Sequence, residues 1–195
     1  IVLGMTFHSC LDLEPQDQLG GKNMWTSVND YKQFANTFYS WTRDFSSVVY
    51  DGTHSDKRSD LITYQSYNEF SRGINSIPSS DANYTDNYKH IRRTNLLLQN
   101  AEAYAKPEDI KQYIGEAYFF RAYSYFDLLQ LYGDVIITKK PLDITDPEMK
   151  VKRNDRSEVV DLIIDDLNHA VENLPAFKEL TTEEEGRISK EGAQA

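Results

Sequence analysis

Residues 115–134, GEAYFFRAYSYFDLLQLYGD, decide how the rest of this chain is read. The stretch has the residue types of one helix, yet its three Phe and four Tyr leave almost no side of the cylinder polar. A helix that is apolar all round is either a membrane span or is buried among other helices. Glu116, Arg121, Asp127 and Gln130 interrupt the apolar surface, so it lacks the roughly 18 apolar residues in a row that a bilayer crossing needs. A buried core helix is therefore predicted. Its charges need partners, because an unpaired charge in an apolar interior is costly. Arg121 with Glu116 or Asp127 is the expected internal pair, fixing helix register.

The surrounding chain suits such a core. Its 195 residues allow one compact domain. Hydrophobic residues make up 39%, aromatics 12% and charged residues 27%, and the mean hydropathy of −0.62 describes a soluble protein. The net charge is −10 and the isoelectric point is near 4.8. An acidic chain without a basic run argues against nucleic-acid binding, which needs clustered Lys and Arg for phosphate contacts. It argues equally against a polybasic membrane patch.

Helical signals flank the core stretch on both sides. Ser27 offers an N-cap with Asp30 three positions on. Tyr31, Phe34, Ala35, Phe38, Tyr39 and Thr42 then recur at helical spacing and predict an amphipathic helix to about Arg43. Residues 44–86 are rich in Ser, Asp, Asn and Gly and read as long irregular loops, with a short helix over about 60–70. Thr85 begins a second long helix, with Tyr88, Ile91, Asn95, Leu98 and Glu102 along one line and Leu97 and Ala101 beside it. Pro107 suits the first turn of the next element. The core helix ends at Tyr132, where Gly133 supplies a left-handed cap. Ser157 caps a fourth helix, with an apolar stripe of Val160, Ile163, Ile164, Leu167, Ala170, Val171 and Leu174, and Pro175 ends it. Ser189 reads as the cap of one more helix. Strand alternation is confined to DVIIT at 134–138. The expected fold class is all-α, with helix pairs stacked in a repeat architecture.

The N-terminal stretch IVLGMTFHSC is an apolar run ending in a small residue and the lone cysteine, Cys10. It reads as the tail of a secretory signal whose cleavage leaves Cys10 as the first residue of a lipoprotein, with residues 1–9 a remnant of the signal peptide. Phe7 and His8 stand where smaller or aliphatic residues are usual. The other reading is a small buried Cys in an N-terminal element.

Three stretches carry a family resemblance. YKHIRRTNLLLQNA at 88–101 resembles the Y-x-x-I-x-x-x-N helix of the SusD/RagB family. The aromatic helix resembles that family's E-A-x-F-x-R-A-x-x-Y-F-x-L helix with its Gly-Asp turn. RSEVVDLIIDDLNHAVENLP at 156–175 and GRISKEGAQA at 186–195 resemble the elements that follow, and Cys10 with LDLEPQDQ resembles the mature lipoprotein start. The resemblance implies an all-α fold of tetratricopeptide-like helix pairs with long irregular loops. It implies that residues 10–195 are the N-terminal portion of a longer SusD-like domain. It further implies a lipid anchor at the cell outer membrane, surface exposure, a SusC-like TonB-dependent transporter as partner, and capture of oligosaccharide for uptake. On this reading the aromatic helix is scaffold.

A neutral sugar offers hydroxyls for hydrogen bonds and an apolar C–H face for a ring, so exposed Trp or Tyr beside Asn, Asp and Arg suits a glycan site. The 41–84 segment has this composition. Trp41, Arg58, Tyr64, Tyr67, Arg72 and Tyr84 are its candidate ligand-binding residues, with Tyr50, Asp56, Asn68 and Asn75 among them. The alternative for each ring is that it pins a loop to the helical core. Enzyme readings lack support: no G-x-S-x-G, H-E-x-x-H or phosphate-binding loop occurs, and carboxylate pairs arise by chance in an acidic chain. The four His are scattered and no zinc spacing exists. DGTHSD at 51–56 clusters oxygen donors but does not fit an EF-hand loop and reads as a solvated turn. No cofactor and no metal is expected. Two functions stay open: an outer-membrane glycan-binding lipoprotein working with a transporter, and a helical-repeat scaffold that binds a protein or peptide without sugar specificity.

Overall fold

A computed structural model describes residues 24–43, 73–74, 76–142 and 145–195, without the side chains of 148 and 149. Five α-helices are present among them: α1 (Val28–Asn36), α2 (Ala82–Glu102), α3 (Lys111–Tyr132), α4 (Arg156–Asn173) and α5 (Lys190–Gln194). Cap chemistry accounts for their starts. The Asp30 carboxylate accepts from the Ser27 N–H at 2.8 Å, and Ser27 Oγ accepts from the Asp30 N–H at 3.3 Å. This reciprocal pair satisfies two donors that a helix start leaves orphaned. Pro107 opens a 3₁₀ turn, Pro107–Ile110, that leads into α3. Ser189 Oγ accepts from the Gly192 N–H and caps α5.

Three helix boundaries differ from those read in the sequence. α1 gives way at Thr37 to a 3₁₀ segment, Thr37–Trp41. There the hydroxyls of Thr37, Ser40 and Thr42 each donate to the carbonyl three residues back, at 2.7, 2.8 and 2.9 Å, which favours the tighter turn. α2 starts before Thr85, because the Asp81 carboxylate accepts from the Asn83 N–H at 2.9 Å and acts as its cap. α4 starts before Ser157: Asp155 holds the cap position, and the Glu158 carboxylate accepts the Asp155 N–H at 2.9 Å. The predicted strand at DVIIT reduces to one bridge, Val135 to Asn154.

The helices pack antiparallel around α3. The C-terminal half of α2 (Leu97, Ala101) shares a core with the N-terminal half of α3 (Tyr113, Ala117, Phe120) and with Tyr31, Phe34 and Phe38. The other half of α2 (Ile91) meets Ala122, Tyr125 and Leu128 of α3, together with Val159, Leu162 and Ile163 of α4. Two stacked antiparallel pairs are the expected tetratricopeptide-like arrangement, and α3 is the core helix foreseen from its rings. No helix of the described residues is long and apolar enough to cross a membrane.

The charges on α3 pair between elements, which corrects the expectation of a pair within the helix. Arg121 lies across Asp166 of α4 in a bidentate bond, Nε–Oδ2 2.8 Å and Nη2–Oδ1 2.6 Å, and its Nη1 donates to Asn95 of α2 at 2.8 Å. Glu116 accepts from Arg187 at 2.8 and 2.7 Å, and Asp127 is met by Arg43. Helix α4 is rotated relative to its predicted stripe for the same reason. Its buried line is Val159, Leu162, Ile163, Asp166 and Ala170, while Val160 and Ile164 are exposed. A buried carboxylate in mid-stripe hides that face from any reading based on hydrophobic spacing.

Gly115 of α3 lies tight against the C-terminal end of α4. A β-carbon built there would lie 2.9 Å from the Leu174 side chain and 3.0 Å from its backbone nitrogen. Backbone cannot move aside as a side-chain tip can. Gly115→Ala is therefore expected to cost about 1–3 kcal/mol by overpacking, despite the better helix propensity of Ala. Urea denaturation should show a lower midpoint at an unchanged slope.

Candidate functional site

After Gly133, which caps α3 at φ +71°, residues 135–142 cross the helices without regular structure, bridged at Val135 to Asn154 and bent at Lys139 and Lys140. Their backbone polar groups must still be paired, and side chains supply the partners. The Tyr88 hydroxyl accepts from the Ile136 N–H and donates to the Ile136 carbonyl, both at 2.9 Å. The Tyr125 hydroxyl treats Thr138 the same way, at 2.7 and 3.2 Å. Asn154 Oδ1 accepts from the Ile137 N–H at 2.9 Å, and Asn95 Nδ2 donates to the carbonyls of Thr138 and Lys140. Arg92 Nε donates to the Leu142 carbonyl at 3.3 Å. The segment is thus held by side chains of α2 and α3 and by Asn154.

The segment forms one wall of an open cleft of about 400 Å³. Ile136, Thr138, Lys140 and Leu142 line it from the segment. Tyr84, Thr85, Tyr88, Lys89 and Arg92 line it from α2, at the spacing of a single helix face. The Tyr84 ring packs on Tyr88 at 4.8 Å and edge-on against Tyr132 at 5.2 Å. Desolvation raises the Tyr88 phenol well above its ordinary value, so this hydroxyl stays protonated and keeps its grip on Ile136. The arrangement sets aromatic surface beside polar and cationic side chains, which suits a ligand with one apolar face and polar edges.

Trp41 occupies a different place from Tyr84. It packs on Phe38 at 4.7 Å and edge-on to Phe120 at 5.9 Å. One face is covered by His90, with centroids 4.1 Å apart and planes 14° from parallel. His90 and Tyr84 are six positions apart on α2, so the two rings look to different sides of that helix. Arg58, Tyr64, Tyr67 and Arg72, and the lipidation candidate Cys10, lie outside the described residues. The candidate residues Tyr88, Arg92 and Lys140 were missed in the sequence. The signal that could have found them is the pair Tyr84/Tyr88 at i, i+4, read together with every second residue over 136–142.

The Trp41 stack has a consequence for acid stability. Burial, aided by Arg93 and Lys89 and opposed by Asp86, pushes the His90 imidazole down to about 4. Between pH 6.5 and 4 the unfolded chain takes up a proton that the folded chain refuses, so stability falls on acidification through that window. With the side chain only half-buried, the expected loss is roughly 1–2 kcal/mol. A His90→Gln variant should lose that much less between pH 7 and pH 4 when urea midpoints are compared.

Comparison with known proteins places this fold. The model of a SusD-like family described as "Starch-binding associating with outer membrane" matches residues 11–195. A SusD-like protein of Formosa agariphila is 27% identical over 184 residues, covering 85% of this chain and 34% of its own. The crystal structure of a SusD-like protein from Bacteroides fragilis superposes with a TM-score of 0.74 at 26% identity, over 93% of this chain and 36% of its own. A laminarin-binding SusD-like protein gives a TM-score of 0.56 at 28% identity, over 64% of this chain and 27% of its own. The chain thus spans about a third of the length of these relatives. Its helix order, its interlocked α2–α3–α4 core and the match across residues 11–195 show that it belongs to the SusD-like family of starch-binding, outer-membrane-associating proteins.

Proposed function

We propose that the protein containing this chain binds oligosaccharide at the outer membrane and delivers it to a SusC-like TonB-dependent transporter. The observation that carries the reading is the family match over residues 11–195, joined to a structural neighbour that binds laminarin. Cys10 is the proposed point of lipid attachment, which would hold the protein at the cell surface without a membrane-spanning helix. Tyr84 is proposed as a ligand-stacking ring, and Arg58, Tyr64, Tyr67 and Arg72 as further ligand-binding candidates. Trp41, with one face on His90 and on another side of α2 from Tyr84, is proposed as a separate candidate. No catalytic role is assigned: the chain binds and hands on.

Isothermal titration of the full-length protein against a panel of oligosaccharides tests this. A ring that desolvates together with a sugar C–H face is worth about 1–3 kcal/mol, so Tyr84→Ala should weaken binding by roughly 5- to 150-fold. Its melting temperature should change little, because the side chain is only part-buried. If no oligosaccharide binds and peptides do, the chain is a helical-repeat peptide scaffold and the glycan reading falls.

A further inference from the structure

We infer that Arg187 is a positioning residue for Trp41: it pins the short segment that carries this ring. The inference rests on the reading above, in which Trp41 is a candidate ligand residue. Trp41 closes the 3₁₀ segment Thr37–Trp41. Hydrogen bonds in such a segment have poorer geometry than those of an α-helix, so it has little hold of its own. Side chains from elsewhere set its position. Arg93 of α2 donates to Thr37 Oγ1 at 2.9 Å, and Phe38 is buried in the aromatic core. A further grip comes from the approach to α5. Arg187 Nη1 donates to Oδ1 of Asn36, the residue at the cap of the segment. The same guanidinium lies over the Tyr39 ring, 5.2 Å from its centroid, and over the Tyr113 ring of α3 at 5.4 Å. The Tyr39 hydroxyl accepts from the Ile188 N–H at 3.0 Å.

Arg187 can hold the segment because it is itself held. The Glu116 carboxylate of α3 accepts from its Nε and Nη2 at 2.8 and 2.7 Å, and the two side chains are 0% and 11% exposed. Two parallel donors meeting two oxygens away from water make a strong, directional joint. The chain around Arg187 adds little, since no residue from 175 to 188 is fully buried. Desolvation, and after it the Glu116 carboxylate, holds the Tyr39 phenol above its ordinary value, so its hydroxyl stays protonated within the network. One guanidinium therefore ties the end of α1 to α3 and to the approach to α5. Helices α2 and α3 are joined without it, through Leu97, Ala101, Ala117 and Phe120. Loss of the grip should free the Trp41 segment and leave that core closed.

The test is hydrogen–deuterium exchange on the full-length protein, read peptide by peptide. The double variant Arg187→Met/Glu116→Met removes both partners, so no buried charge is stranded and the fold is kept. Amides from Phe38 to Trp41 should exchange about tenfold faster in it, while those of α2 hold their wild-type rates. Tyr39→Phe keeps the ring and removes the hydroxyl that Ile188 uses, and the same amides should quicken by about fivefold. Unchanged exchange from Phe38 to Trp41 in both variants overturns the positioning role. So does an equal rise across α2, α3 and α4, which would report lost global stability instead of lost position. Titration with laminarihexaose reads the consequence for binding. Trp41→Ala should weaken it by roughly 5- to 150-fold, and the double variant by at least about threefold. Weakened binding in Trp41→Ala with full affinity in the double variant overturns the positioning role. Full affinity in Trp41→Ala removes Trp41 from the ligand candidates, and the exchange rates then decide the role of Arg187 alone.

Discussion

Arg121→Met is expected to lower the stability of the fold by about 3–5 kcal/mol, because it strands Asp166 as a buried, unpaired carboxylate. Asp166 has no measurable exposure and Arg121 only 4%. Burial works against the guanidinium's charge, but the hydrogen-bonded Asp166 carboxylate outweighs it and holds Arg121 above its ordinary value. The residue also joins three helices, since Nη1 reaches Asn95 of α2 while Nε and Nη2 reach Asp166 of α4. Removing Asp166 as well should recover much of the loss. An apolar pair of similar volume has no desolvation cost to offset, so Arg121→Met/Asp166→Leu is expected near wild type. Urea midpoints for the two singles and the double close the cycle. A single Arg121→Met that costs less than about 1 kcal/mol would show that water reaches Asp166 and that the pair is not buried.

The second large effect is Phe120→Ala, expected to cost about 3–5 kcal/mol. Phe120 is 1% exposed and is the ring on which the first helical segment closes over α3. Phe38 lies 5.7 Å from it, Tyr39 5.0 Å, Trp41 5.9 Å and Phe119 5.3 Å, centroid to centroid. Deleting the ring leaves a cavity walled by other rigid rings, which cannot collapse into it as flexible aliphatic chains could. Phe126 is the internal control. It sits on the same helix but is 45% exposed, so Phe126→Ala should change stability by no more than about 0.5 kcal/mol. A Phe120→Ala cost equal to that of Phe126→Ala would mean that the aromatic face of α3 is not the core.

Among the described residues, Tyr84 was the one candidate ligand residue that both the sequence reading and the cleft contain. Its neighbours there came from two causes that a local pattern does not reveal. Tyr88 reads as a core position on α2, and its hydroxyl does hold Ile136, yet its ring also faces the cleft. Lys140 lies in a stretch without regular structure, and its place depends on side-chain hydrogen bonds from two helices that fix the segment. Trp41 looked like a free ring by composition, and His90, 49 positions away, covers one of its faces.

The amino-acid sequence by itself determined that the chain is helical, that Ser27 and Ser189 open helices, that Pro107 begins a turn and that residues 115–132 form a helix too apolar for the surface. These rest on interactions within four residues, where spacing and cap chemistry dictate the outcome. Only the tertiary structure decided which face of α4 turns inward, which acid answers Arg121, and which side chains meet across the cleft. Those depend on elements 45 or more residues apart meeting in one register. A buried Arg–Asp pair has the sequence signature of a solvated surface, because burial is a property of the partner's position rather than of the residue.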